Sequence, residues 1–447
     1  MLKKLFKLFT APGKATTDPQ VLTSGNHPIK RRQISNGAIK TIETLQARGY
    51  DAYLVGGCVR DLLLGRHPKD FDVATNATPD QVKELFRRAR IVGRRFQIVH
   101  VYMGREMVEV TTFRANHNGG HRQAVQSAQG QLLRDNVFGD INEDAQRRDF
   151  TVNALYYHPA DDTLFDYANG LPDIEARQLR MIGDPETRFR EDPVRMLRAA
   201  RFAAKLDFSL EPATAAPIPE LAPLLSNIPP ARLFDEFLKL FLAGHALATF
   251  RVLREYRLFG LLFPETDELL ASDDGFNQRF IEQAMRNTDA RIAAGKPVTP
   301  AFLLAALLWP VVVKGDAFYR AKGEAPAMAM QKAAGHTVAQ QVSRIAIPRR
   351  FSLPMREIWE MQGRLPNRSG RRAEHLHSLP RFRAAYDFVL LREQAGEILD
   401  NLGDWWTRYQ DADPDEREAM VSKLGGRSGG GRRRRRPRKR PPAGATS

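Results

Sequence analysis

Leu54-Val55-Gly56-Gly57-Cys58-Val59-Arg60-Asp61, followed shortly by Asp70-Phe71-Asp72, is the stretch that decides the fold. Tyr53-Leu54-Val55 reads as a short strand and Gly56-Gly57 as a turn that exposes backbone N–H groups. Cys58 to Leu64 reads as a helix closed by Gly65. Unpaired N–H groups and the dipole at such a helix start favour anions, phosphate above all. Arg60, in the first turn, offers a forked cationic donor to phosphate oxygens. Lys69 to Thr75 reads as a second strand, whose period of two puts Asp70 and Asp72 on one face and Phe71 and Val73 on the other.

Two carboxylates on one face suit Mg²⁺, which takes oxygen ligands and keeps waters and substrate phosphates in its shell. In a two-ion site, with Mg²⁺ or alternatively Mn²⁺ ions roughly 3.5–4 Å apart, one ion activates an attacking hydroxyl and the other stabilises leaving pyrophosphate. Asp-x-Asp alone reads as a solvated strand edge before it reads as a metal site. Beside the Gly-Gly turn and Arg60 it points to nucleotidyl transfer. Ile98 to Met103 and Glu106 to Phe113 read as a hairpin turned at Gly104-Arg105. Glu109, Thr111 and Phe113 then share a face opposite Val108 and Val110, which makes Glu109 the candidate third carboxylate for catalysis and metal binding. A plain surface carboxylate is the alternative.

Three later segments follow in order: Arg147-Arg148-Asp149-Phe150-Thr151-Val152-Asn153-Ala154-Leu155, Asp166 to Arg180, and Glu191-Asp192-Pro193-Val194-Arg195-Met196-Leu197-Arg198. Together with the opening motifs they resemble the class II nucleotidyltransferases, the family of tRNA CCA-adding enzymes and bacterial poly(A) polymerases. The resemblance covers most of residues 35–400. Ile91-Val92-Gly93-Arg94-Arg95-Phe96, Pro229-Pro230-Ala231-Arg232-Leu233-Phe234-Asp235-Glu236 and Ile347-Pro348-Arg349-Arg350-Phe351 are similar to the poly(A) polymerase branch. So is the run from Arg368 to Arg372 with Phe382 to Phe388. Leu303 to Pro310 lacks the His-Asp pair often seen in the CCA-adding branch, which argues against an added phosphohydrolase activity.

The resemblance implies that Asp149, beside Arg148, accepts from a ribose 2′-hydroxyl. A site built for that bond rejects a nucleotide without the hydroxyl, because its polar group is then stranded. The alternative is a structural Arg148–Asp149 ion pair at a helix start. Asp192 and Arg195 fall three residues apart on an expected helix face. A carboxylate and a guanidinium there complement the amino donor and ring acceptor that adenine and cytosine share, and refuse guanine and uracil. Asp192-Pro193 reads equally as a helix cap with proline at the first position. Arg198, one turn on, is a candidate contact to base or phosphate. Arg94 and Arg95 are candidates for phosphate or RNA contact, with a solvated basic surface as the alternative.

The 447 residues carry a net charge of +16, which points to a polyanionic partner. Nine of the 68 basic residues lie between Arg427 and Arg440, so 59 remain against 52 acidic ones. Residues 425–447 have almost nothing apolar and are expected to be disordered, with Arg432, Arg433, Arg434, Arg435 and Arg436 holding RNA through phosphates or acting as a solubilising tail. The basic, amphipathic start from Met1 to Phe9 is too short and charged to span a bilayer, which limits it to weak peripheral membrane contact. With the single cysteine Cys58 no intrachain disulfide forms, which suits a cytoplasmic enzyme.

The expected architecture is α+β, a mixed α/β nucleotidyltransferase head followed by an all-α neck and body. Its boundaries are a flexible basic segment over residues 1–34, a head over 35–175, a neck that binds nucleotide and RNA over 176–242, and a body over 243–424. Thr78-Pro79 with Gln81 reads as a capping box for a helix ending near Ala89. Phe250 to Leu262, Ala301 to Trp309 and Ala384 to Gln394 read as helices. The expected activity is template-independent addition of AMP from ATP to RNA 3′ ends with release of pyrophosphate, by a monomer that RNA-degradation or RNA-chaperone proteins could join. The competing readings are a tRNA CCA-adding enzyme and a non-catalytic RNA-binding platform.

Overall fold

The computed structural model describes residues 18–93, 97–115, 125–126, 132–134, 137–272 and 275–425. Arg94, Arg95, the Met1–Phe9 start and Arg432 to Arg436 lie outside the described residues. The chain forms two compact units. One comprises residues up to 271 with 285–298 and 340–347; the other comprises 272–284, 299–339 and the residues from 348 on.

The first unit is built on an eight-stranded sheet, taken here in chain order: β1 Gln20–Leu22, β2 Ala52–Val55, β3 Asp72–Thr75, β4 Ala89–Val92, β5 Ile98–Met103, β6 Glu106–Thr112, β9 Leu155–His158 and β10 Thr163–Asp166. Between β6 and β9, β7 Val125–Gln126 and β8 Leu132–Arg134 form a separate ladder. The strand order is β1-β10-β9-β2-β3-β6-β5-β4, antiparallel throughout except that β3 runs parallel to β6. Burial alternates along β6, with Val108, Val110 and Thr112 buried and Glu109 and Thr111 half-buried, as a strand with one core face requires. The β5–β6 hairpin turns at Gly104, whose φ of +67° suits glycine at the first central position.

The helices of this unit that bear on the cavity are α1 Asn36–Gln46, α2 Gly57–Leu63, α3 Pro79–Leu85, α4 Ile141–Arg147, α5 Gly170–Ala176, α6 Pro185–Glu191 and α7 Val194–Leu206. α7 buries Met196, Leu197, Ala200 and Ala203 on its core face and ends at Asp207, which takes a left-handed φ of +60°. The second unit is helical. Trp359 Nε1 donates to Ala305 O at 3.0 Å and Trp406 Nε1 to Leu365 O at 3.2 Å, so both buried indoles pack with their polar edge satisfied. Pro300–Ala321 is the one helix among the described residues long and apolar enough to cross a membrane, and 61% of its apolar window is buried in the structure, as for a core helix.

Several elements differ from expectation. Gln20–Leu22, placed in a flexible segment, pairs antiparallel with β10 as the sheet edge, and Ile29 and Ile34 behind it are buried. α3 ends at Leu85 and not near Ala89, because Ala89–Val92 joins β5 as β4. The strand expected from Lys69 starts at Asp72, its first residue with a ladder partner. The helix expected over Phe250 to Leu262 is two, Ala246–Glu255 and Phe259–Leu262, broken where Arg257 turns left-handed at φ +56°. The expected all-helical neck also holds a small parallel ladder, β11 Gln178–Leu179 with β12 Ser209–Leu210.

Candidate active site

β2 ends at Val55, directly opposite Asp72 on β3, and the chain then turns through Gly56 into α2. Gly56 has φ +75°, and a Cβ there would lie 3.3 Å from Arg148 Nη1, so both backbone shape and space call for glycine. A cavity of about 270 Å³ opens at this junction. Gly56, Gly57 and Cys58 from the turn, Lys69, Asp70 and Asp72 from the β3 lead-in, and Arg148, Asp149 and Asn153 from the segment before β9 line it. Arg60 and Asp61 of α2 and Arg198, Phe202 and Lys205 of α7 complete it.

Asp70 and Asp72 therefore reach one cavity although only Asp72 is in the strand. Asp72 has its carboxyl pushed up to about 6, chiefly by burial, then by the charges of Glu109 and Asp70, with Arg148 partly opposing them. Cys58 is buried and its thiol is pushed up to about 12 by burial and by Asp72, which leaves it a packing residue and no nucleophile.

Glu109 stands beside Asp72 in the parallel ladder, but its Oε1 lies 3.6 Å from His100 Nε2 on β5. Glu109 is not among the cavity residues, and among the described residues no group of three His, Cys, Asp or Glu side chains is placed to hold a metal ion. Glu109 is nevertheless the carboxylate next to Asp72, and its charge is the largest influence on the Asp72 carboxyl after burial, while its own Oε1 rests near His100. The two carboxylates that line the cavity, one of them costly to charge, fit a hard divalent cation whose other ligands are waters and substrate phosphates.

Arg60 also departs from expectation. Its guanidinium is 1% exposed and donates from Nε and Nη2 to Asp61 Oδ1 at 2.9 and 2.7 Å and from Nη1 to Asn153 Oδ1 at 2.5 Å. It braces the cavity wall instead of projecting as a free donor. The alternative Arg148–Asp149 ion pair is replaced by two other pairs. Arg148 donates to Asp144 Oδ2 (3.0 Å from Nη2) and to Tyr156 Oη (3.0 Å from Nε). Asp149 Oδ2 accepts from Arg198 Nε and Nη2 at 2.8 and 2.6 Å, and its Oδ1 accepts from Asn153 Nδ2 and Phe150 N. Burial alone would raise the Asp149 carboxyl, yet the Arg198 charge and these hydrogen bonds hold it well below the usual carboxylate range.

Asp192 and Arg195 do not share one helix. Asp192 closes α6 and α7 begins at Val194, since Pro193 interrupts the run. Asp192 Oδ1 accepts from Val194 N at 3.3 Å, and its Oδ2 pairs with Arg232 at 2.7 Å. Arg195 Nη1 donates to Glu191 Oε2 and Arg188 O, both at 2.8 Å. Neither residue lines the cavity.

The residues missed from sequence are the ones that hold these groups in place. Asn153 joins Arg60 to Asp149, and Arg188 Nη2 donates to the carbonyls of Arg147 and Arg148, fixing the approach to Asp149. Phe202 carries the guanidinium of Arg198 at 5.2 Å. A signal for Phe202 and Lys205 was available in their spacing from Arg198, one face of a helix.

Residues 52–180 match the family model described as Poly A polymerase head domain, and residues 322–440 match Polymerase A arginine-rich C-terminus. Residues 207–270 match the model described as "Probable RNA and SrmB- binding site of polymerase A". The chain is 48% identical to Poly(A) polymerase I of Salmonella typhimurium over 429 residues, 94% of this chain and 92% of that one. It is also 48% identical to Poly(A) polymerase I of Escherichia coli O157:H7 over 438 residues, 96% and 94% of the two chains. The CCA-adding enzyme of Lactobacillus helveticus is 38% identical over 49% of this chain and 53% of its own. Among solved structures, the Bacillus stearothermophilus CCA-adding enzyme in complex with CTP is similar with a TM-score of 0.53 at 27% identity, covering 88% of this chain and 81% of that one. The cavity, its two carboxylates and these likenesses along nearly the whole chain converge: the protein belongs to the bacterial poly(A) polymerase I family of nucleotidyltransferases.

Proposed function

We propose that the cavity adds AMP from ATP to RNA 3′ ends without a template and releases pyrophosphate. The observation that carries the reading is the placement of Asp70 and Asp72 in the cavity that Gly56 and Gly57 line, with the Asp72 carboxyl pushed up to about 6. Asp70 and Asp72 would hold Mg²⁺, which would supply Lewis-acid stabilisation of phosphate oxygens when bound. The N–H groups at the start of α2 orient the triphosphate. Asp149, already fixed by Arg198 and Asn153, presents its carboxylate to the ribose 2′-hydroxyl, and Arg198 extends along the sugar. Asp192 and Arg195, set by Arg232 and Glu191 beyond the cavity lining, read the amino donor and ring acceptor that adenine shares with cytosine. Arg148, bound to Asp144 and Tyr156, braces this wall from behind. RNA is held by residues 207–270 and by the arginine-rich tail.

Purified protein incubated with unstructured RNA and each nucleotide separately tests this. Long tails from ATP alone are expected. Additions restricted to tRNA and requiring CTP overturn it in favour of CCA addition, and RNA binding without any incorporation overturns it in favour of a platform.

A further inference from the structure

Lys205 stands in the cavity with no part in the reading above. It follows Arg198 and Phe202 on α7 at seven and three residues' distance, and the helical period brings all three to one face. All three line the cavity. They also mark an order along it. Arg198 is bound to Asp149, where the ribose is assigned. The Phe202 ring carries the guanidinium groups of Arg201, Arg198 and Arg60 at 4.5, 5.2 and 5.4 Å. Lys205 ends at α2, with Nζ 3.5 Å from Asp61 Oδ2, and α2 is the helix that starts at Gly57. Asp61 is four residues along α2 from Gly57, so the cation sits on the α2 side of the cavity that Gly56 and Gly57 line, two turns of α7 away from the Arg198 that binds Asp149.

Its pairing with Asp61 is loose. A separation of 3.5 Å exceeds the roughly 2.7–2.9 Å of a good charge-assisted bond. Asp61 is already engaged on its other oxygen, where Arg60 donates from Nε and Nη2 at 2.9 and 2.7 Å. The Lys205 side chain is 36% exposed, so it can turn to an arriving anion without leaving a packed position. Burial lowers its affinity for the proton and Asp61 only partly restores it, so a second anion nearby stabilises the ammonium.

We propose that Lys205 is a further substrate-binding residue, its ammonium engaging the β- and γ-phosphate oxygens of the incoming nucleotide and retaining the pyrophosphate after bond cleavage. This rests on the nucleotidyl-transfer reading. In that step the RNA 3′-oxygen bonds to the α-phosphorus and its proton passes to water. The bond from that phosphorus to the bridging oxygen breaks, and the electron pair stays on pyrophosphate. Lys205 faces the charge that develops there, which a base- or sugar-reading residue does not.

Pyrophosphorolysis isolates the contact, because inorganic pyrophosphate and tailed RNA are then separate substrates. Lys205→Met is expected to raise the KM for pyrophosphate about tenfold, the loss of one charge-assisted contact, with the KM for RNA unchanged. Lys205→Arg should recover most of it. An unchanged KM for pyrophosphate, or an equal rise in both constants, overturns the assignment. A second measurement needs no variant: in the unsubstituted protein, pyrophosphate should protect Lys205 from an amine-acylating reagent as read by peptide mass, and absence of protection overturns the proposal. The unsubstituted protein also separates the two readings. If it neither adds AMP nor runs the reverse reaction, nucleotidyl transfer falls; if it does both while Lys205→Met keeps its pyrophosphate affinity, only the role of Lys205 falls.

Discussion

The two walls of the cavity follow opposite electrostatic plans. On one, Asp70 and Asp72 form no ion pair among the described residues, and Asp72 is charged only at a cost. On the other, Asp149 is paired with Arg198, Arg148 with Asp144 and Arg60 with Asp61, with Lys205 held loosely at 3.5 Å from Asp61. The first wall changes energy when a cation arrives, and the paired groups of the second hold their shape whether or not anything is bound. An active site needs both, because a preorganised frame is what lets a charge imbalance act on a substrate without the protein rearranging.

The sharpest way to break the comparison is Asp72→Asn. It removes the charge of the acidic wall and leaves the paired wall intact, so tailing should fall about a thousandfold, roughly 4 kcal/mol of transition-state stabilisation, while filter retention of RNA persists. Unchanged tailing would mean that the two carboxylates are a strand edge after all.

The walls should also answer pH with opposite sign. Asp72 titrates in the fold near 6, above its ordinary 3.8, so its neutral form favours the fold below about pH 4, and that advantage is lost as pH rises through about 6. The loss is at most about 3 kcal/mol, less after solvent screening. Asp149 is depressed, so its contribution is present above the ordinary value and lost only as pH falls through a folded value below the usual range. Metal-free melting of the parent protein should therefore decline between pH 4 and 6 relative to Asp72→Asn, and Mg²⁺ should remove the difference. A flat difference would show that Asp72 is not strained.

Breaking the paired wall should alter choice more than speed. Asp149→Ala removes the carboxylate proposed to receive the 2′-hydroxyl, and the preference for ATP over dATP should drop by about a hundredfold out of the roughly 10⁴–10⁵ such a contact supplies. The ratio of kcat/KM values for the two nucleotides is the measurement. An unchanged ratio would make Asp149 a brace for Arg198 only.

The same contrast explains what could be read in the sequence. Gly56 and Gly57 were legible because turn chemistry is local; Asp70 and Asp72 were read as one strand face and do reach one cavity, although Asp70 lies outside the strand. The β5–β6 hairpin was legible for the same reason, with Gly104 at its tip. The paired wall was not legible, since Asp149 finds Arg198 and Arg60 finds Asn153 only through the folded chain, 49 and 93 residues apart. Asp192 likewise meets Arg232 40 residues away. Short edge elements failed too: Gln20–Leu22 has three residues and gains its identity from β10, not from its own pattern. The break at Arg257 was hidden because a left-handed position usually announces itself as glycine.

The smallest effect is expected where neither wall is touched. Thr78 Oγ1 accepts from Gln81 N at 3.4 Å, and Thr78 N donates to Gln81 Oε1 at 2.8 Å, closing the box at the start of α3. That helix packs on β4 and β5, on the far side of β6 from β3 in the strand order, and contributes nothing to the cavity lining. Thr78→Ala should cost about 1 kcal/mol of stability, read as a lower denaturation midpoint, with the tailing rate per folded molecule and the ATP to dATP ratio unchanged. If the rate fell with the midpoint, the acidic wall would be drawing its geometry from the whole sheet through β5 and β6. The separation into a charged wall and a self-sufficient frame would then have to be replaced by one cooperative unit.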